Sequence, residues 1–216
     1  MAITAATAKN WVANNHIILV VGIVVASLVG IVTSSAVSAI NYGEGTYGTC
    51  SYAACSISLS SSGTVDLNAS PVPGETTCSV QQDNISVSTG SSTGYTLTLS
   101  TVGSDNFLAG PNSAEILPTS GSADDPWPLD INTWGYRVSG RSGFGTSEPG
   151  TFTNGPVPDA TFAAVPGDFA PDTIRTRVST PPTNPDTLNV WYGLCIDTLT
   201  APGFYTRDVI YTAVVN

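Results

Sequence analysis

Histidine occurs once in the 216 residues, at position 16, lysine once, at position 9, and methionine only as the first residue. Charged side chains make up 10% of the chain, and beyond residue 39 five arginines stand against sixteen acids, a net charge of −11. Each scarcity removes a class of function. A surface so short of cations repels phosphates, and nucleic-acid binding is excluded because it needs counterion release on a basic face. Without a histidine beyond position 16, the usual general base of serine and cysteine hydrolases is missing. Without a lysine beyond position 9, lysine-dependent isopeptide crosslinks have no donor there. Low charge together with four Trp and eight Tyr excludes an acidic disordered tail and a coiled coil. What is left is a chain that folds, with a length beyond the N-terminal segment that suits one domain.

The longest apolar run is Ile17 to Val32, IILVVGIVVASLVGIV, followed by small neutral residues up to Ala39. At 1.5 Å per residue, the run extended to Ala39 is long enough to cross about 30 Å of hydrocarbon as one helix. Lys9 before it and Val37-Ser38-Ala39 after it also make a secretion signal, with small residues where a signal peptidase cuts. Cleavage after Ala39 is favoured, with a retained signal anchor as the alternative. In both cases residues 40–216 are expected outside the cytoplasm, because the positive charge precedes the run and Glu44 follows it.

All four cysteines, Cys50, Cys55, Cys78 and Cys195, follow the apolar run. An even number in an oxidising compartment predicts disulfides. Of the three connectivities, Cys50 with Cys55 and Cys78 with Cys195 is preferred, the first closing a local loop and the second tying distant strands and the layers of the fold together. Zinc is the poorer reading, since the exported region has no second close cysteine pair and no histidine.

Apolar residues alternate with Ser and Thr over Cys55 to Ser60, Thr64 to Asn68, Asn84 to Thr89 and Tyr95 to Ser100. This period of two predicts strands with one wet face. Further strands are expected at Trp134 to Ser139, Thr161 to Val165, Thr173 to Val178, Thr187 to Gly193 and Phe204 to Val215. The last has apolar residues on both faces and is expected in an interior position. Dense turn signals and no helical period after residue 40 predict an all-β fold, an antiparallel β-sandwich of immunoglobulin-like or Greek-key type preceded by one N-terminal hydrophobic helix. Residues 118–130 and 140–159, rich in Gly, Pro, Ser and acids, are expected as long loops and as candidate contact surfaces.

Within the first loop, Asp124, Asp125 and Asp130 are the one tight acidic cluster, and Trp127 stands between two prolines. Three carboxylates are hard-cation ligands, but the spacing matches no twelve-residue calcium loop. A proline-rich loop is also a poor support for the two rigid carboxyls of a glycosidase. The cluster reads best as a solvated acidic loop, and Trp127 as the best single candidate for a contact residue, one that could stack on a sugar. Trp134 and Trp191 lie within strand patterns and are expected in the core. No catalytic residue, metal or cofactor is predicted.

With YGTCSY near residue 47, TVDLNASP, ISVST, STGYTLTLS, NTWGYRV from Asn132, VWYGLCID from Val190 and the closing PGFYTRDVIYTAVV on the page, the chain resembles exported β-sandwich surface proteins of ultrasmall, host-attached bacteria. Its closing strand is also similar to those of WxL-type wall proteins and of fimbrial or spore-coat sandwiches. The resemblance implies a secreted or cell-surface structural or adhesive protein and supplies no catalytic residues. The partner expected is a component of the cell envelope or host surface, protein or glycan, with the membrane added if the N-terminal helix is uncleaved. The rival expectation is a carbohydrate-binding module, with calcium as a possible aid.

Overall fold

Alternation of apolar residues with Ser and Thr produces strands at 57–60, 65–68, 84–89 and 95–100, and a second layer of apolar side chains produces strands where alternation is absent. The computed structural model describes the backbone of Ala2–Ala6 and residues 56–181, 183 and 185–216. Its strands are β1 (Ala2–Ala6), β2 (Ile57–Ser60), β3 (Val65–Asn68), β4 (Thr77–Thr89), β5 (Tyr95–Thr101), β6 (Leu108–Ala109), β7 (Glu115–Pro118), β8 (Thr133–Val138), β9 (Phe152–Gly155), β10 (Asp172–Arg177), β11 (Asp186–Ile196) and β12 (Tyr205–Val215). A short 3-10 turn at Pro111–Ser113 separates β6 from β7. The described protein is all-β and sandwich-like. The predicted helix at 17–39 and the predicted Cys50 to Cys55 pair lie outside the described residues. Among the described residues no helix is long and apolar enough to cross a membrane.

Hydrogen bonds run in the order β10-β5-β12-β6-β7-β8-β11-β4-β2, with β9 also on β4. The path makes two faces, β10-β5-β12 and β8-β11-β4-β2, that turn into one another through the short β6 and β7. Most pairs are antiparallel, but β7 runs parallel to β8 and β1 parallel to β12. The sheet is therefore mixed, where a purely antiparallel one was expected.

One core fills the space between the faces, with Leu97, Leu99 and Tyr211 from one side meeting Ile85, Val87, Tyr136, Val190 and Tyr192 from the other. Trp134 belongs to it, as expected. A second cluster covers the outer side of β4 and β11, where Cys78, Val80, Trp191 and Cys195 pack under Leu129 and Phe162. β11 is thus buried on both sides, which explains why its apolar run is nearly continuous. β12 is interior too, with Val209, Ile210 and Tyr211 buried in succession.

Cys78 and Cys195 form the predicted disulfide. The two residues face each other in register on neighbouring strands β4 and β11. The bond staples one sheet and does not tie the two layers, contrary to the expectation. The layers are tied instead by phenol hydroxyls: Tyr192 and Tyr211 meet at 2.6 Å, Tyr95 of β5 donates to Asp186 of β11 at 2.6 Å, and Tyr136 of β8 donates to Asp172 of β10 at 2.7 Å.

Two local expectations need correction. Residues 161–165 form no strand; Phe162 and Ala163 make isolated bridges to Trp127 and Tyr136. They reach that close because Gly135 offers no side chain, and a Cβ there would sit 2.6 Å from the carbonyl oxygen of Ala163. The stretch 140–159 is not all loop, since its Phe152–Gly155 adds to the edge of β4 as β9.

Candidate binding face

Long loops need anchors, because ordering each residue costs about 1 to 2 kcal/mol of backbone entropy. Two arginines at the end of β8 supply them. Arg137 is buried, and it donates to the carbonyl oxygens of Thr161, at 3.1 Å, and Ser147. Burial lowers the pKa of its guanidinium, and the nearby Glu148 partly restores it. Arg141 donates through Nε to Thr173 O at 2.9 Å, and through its terminal nitrogens to Ala123 O and to Asp124 Oδ1, the latter at 3.1 Å. Phe144 is buried between them, each guanidinium carbon lying 5.7 to 5.8 Å from its ring centre, with Tyr136 edge-on. The two excursions read from the sequence, 118–130 and 140–159, are therefore joined to each other and to β10 at Arg141.

Beside this junction lies an open cleft of about 350 Å³ lined by Gly140, Arg141 and Thr173 through Arg177. Three of the five arginines beyond residue 39 line it. Two acids, Asp124 and Asp186, offset part of this charge. Asp186, at the start of β11, accepts from Arg177 Nε at 2.7 Å and Nη2 at 3.0 Å and from the Tyr95 hydroxyl. Burial alone would raise the Asp186 pKa, but the bonds from Arg177 and Tyr95 outweigh it and hold the carboxyl below its ordinary value. Arg175 is the least satisfied of the three: its Nε lies 4.0 Å from Asp186 without a hydrogen bond, and its Nη2 reaches Thr187 O at 3.5 Å. A cleft of guanidinium and threonine groups, its positive charge largely offset by Asp124 and Asp186, suits a ligand rich in hydroxyls.

The sequence-predicted contact residues are not gathered at this cleft. Trp127 is 56% exposed and is fixed through its backbone, which exchanges hydrogen bonds with Phe162. Asp124 is 93% exposed at its side chain and pairs only with Arg141. Asp125 closes a turn on Ser122 through its backbone, and Asp130 offers its carbonyl oxygen to the Thr133 hydroxyl. Among the described residues no group of three or more His, Cys, Asp or Glu side chains could hold a metal ion. The calcium idea therefore gains no support from the geometry. Arg141, Arg175, Arg177 and Asp186 were not singled out in the sequence. The available signal was that cations this rare fall in one short segment, Ile174-Arg-Thr-Arg177.

The Asp186 network makes a testable statement about stability. Because the folded pKa is depressed, its contribution is present above the ordinary carboxylate pKa of about 4 and is lost as pH falls below it. Asp186→Asn should lower stability at pH 7 by about 2 kcal/mol, less than for breaking a fully buried pair because Arg177 is partly exposed. Urea titrations should show that difference shrink as pH falls below about 4 and through the lowered pKa of the folded carboxyl. Comparison of the chain with protein-family models, with curated proteins and with solved structures finds no match.

Proposed function

We propose that this chain is a non-enzymatic structural or adhesive protein of the cell envelope, exported through residues 1–39 and working as an immunoglobulin-like or Greek-key sandwich over residues 40–216. The observation that carries the reading is the joined loop face. Two excursions with no strand-pairing duty over most of their length are held rigid by Arg137, Phe144 and Arg141, at the entropic expense expected of a contact surface. The oxidised Cys78–Cys195 pair is compatible with a compartment outside the cytosol. The partner is an envelope or host-surface component, protein or glycan, and the surface-protein resemblance points the same way. The N-terminal apolar run adds the membrane as a partner if it is retained.

The exposed Trp127 favours one further reading, a carbohydrate-binding module. A glycan array probed with the exported protein discriminates the two. A saturable response lost in Trp127→Ala or Arg175→Ala supports the module, and binding to whole envelopes without any free-glycan response supports the structural role. Recovery of the protein from the cytosol with reduced cysteines would reject both.

A further inference from the structure

Of the three arginines that line the cleft, two hold donors in reserve. Arg141 spends all its side-chain nitrogens on Thr173 O, Ala123 O and Asp124. Arg177 gives Nε and Nη2 to Asp186 and makes no bond through Nη1. Arg175 has the single long bond to Thr187 O, and among the described residues its Nε and Nη1 have no partner. The Nε is closed off from solvent, but the Nη1 of neither arginine is. A guanidinium is a fork of N–H donors with no acceptor of its own, so open donors at a cleft are completed by an acceptor on a ligand. Three guanidinium groups against the carboxylates of Asp124 and Asp186 leave one positive charge without a counterpart. That vacancy matches one carboxylate, the planar acceptor a guanidinium binds through two parallel bonds. It does not match a polyanion, which the net charge of −11 beyond residue 39 repels.

The rest of the cleft says what carries the carboxylate. β10 ends the hydrogen-bonded path, and the cleft runs along it, so an extended peptide is the first alternative. Two features oppose strand addition there. Arg141 already occupies the Thr173 carbonyl, and the strand is bulged between Thr173 and Arg175. The wall also offers no apolar pocket for a peptide side chain, because Ile174 is buried and its neighbours Thr173 and Thr176 are the exposed ones. Threonine hydroxyls both donate and accept, as the hydroxyls of a sugar ring do. A volume of about 350 Å³ lies at the small end of ligand sites and fits a terminal sugar better than a long chain segment.

We propose that the cleft between Gly140-Arg141 and β10 binds the carboxylate of a sugar acid, a residue of uronic-acid type in an envelope or host glycan, seated on Arg175 with Arg177 Nη1 as a second donor. The proposal rests on the reading of the protein as an envelope or host-surface contact protein and names the ligand of that contact. Trp127 does not line this cleft and has no part in it.

Titration of the protein, as recovered from its cell, with D-glucuronate, its neutral methyl ester, glucose and acetate tests the assignment by nuclear magnetic resonance. Glucuronate should bind saturably and shift the Arg175 Nε–H and Thr176 amide signals. The ester, glucose and acetate should each bind roughly tenfold more weakly or worse, the cost of losing hydrogen bonds to a charged group. Arg175→Lys keeps the charge but loses the fork, and should weaken glucuronate by a similar factor while Trp127→Ala leaves it unchanged. The ester comparison needs no variant, so it decides even if Arg175→Lys fails to fold. Equal binding of glucose and glucuronate would overturn the carboxylate assignment and leave the carbohydrate-binding module standing. Acetate binding as tightly as glucuronate would overturn the sugar, and preference for the peptide acetyl-Ala-Asp-Ala-amide would overturn it in favour of a protein partner. Loss of binding in Trp127→Ala with Arg175→Lys unaffected would move the site to Trp127. No response to glucuronate, with binding to whole envelopes intact, would overturn this proposal and not the structural role.

Discussion

Replacing Cys78 and Cys195 together with alanine should lower the stability of the protein by about 5 kcal/mol. The bond closes a loop of 117 residues. In the chain-entropy model such a loop restricts the unfolded chain enough to account for nearly all of that figure. Both cysteines are fully buried against Val80, Leu129, Phe162 and Trp191, so removing the sulfurs also leaves a void in the outer cluster. Against a total stability of about 5 to 15 kcal/mol the loss is large. For a domain of this size it corresponds to a fall in Tm of roughly 10 to 20 °C. Calorimetry of the oxidised protein and the double variant measures it. A difference below about 1 kcal/mol would mean that the reduced unfolded chain is already held compact, for which the entropy model has no place.

The same pair shows how far the sequence could be read. Export context and even cysteine number predict that Cys78 and Cys195 bond, but spacing says nothing about which strands carry them. Only the register of β4 against β11 reveals a staple within one sheet. Strands with one wet face were legible, as in Val65-Asp-Leu-Asn68 and Tyr95-Thr-Leu-Thr-Leu99. The first half of β4 was not, because Thr77-Cys-Ser-Val80 is buried at every position under β9 and the outer cluster, and burial on both sides erases the alternation. The apolar stretch Thr161 to Val165 reads as strand, but the partners of Phe162 and Ala163 are single residues of a loop and of β8. The joined loop face was half legible. Composition marked the two excursions, while the arginine that joins them, Arg141, finds its partners 17, 18 and 32 residues away, a proximity no local pattern contains.

Raising the pH above about 10 should unfold the protein cooperatively. Tyr95, Tyr136, Tyr192 and Tyr211 are buried, and burial raises the pKa of each phenol above its ordinary value of 10. At Tyr95 and Tyr136 the carboxylates that accept the hydroxyl proton, Asp186 and Asp172, raise it further. A raised folded pKa gives stability that is complete below the unfolded value and is lost as pH climbs past it, because the unfolded chain releases protons that the folded one retains. Each such phenol costs about 1.4 kcal/mol per pH unit above 10, so four together cost roughly 5 to 6. Within two units that exceeds the stability of a typical domain. The consequence is structural as well as energetic, since these hydroxyls make the bonds joining the two faces of the sandwich. Phenolate absorbance followed alongside far-ultraviolet circular dichroism should stay low up to the transition and then rise as the strands are lost. Replacing Tyr192 and Tyr211 together with phenylalanine removes two of the four protons from the linkage and should make the alkaline transition about half as steep. A smooth ionisation centred near pH 10 with the strands intact would show that the phenols are open to solvent and that the layers are held by other means.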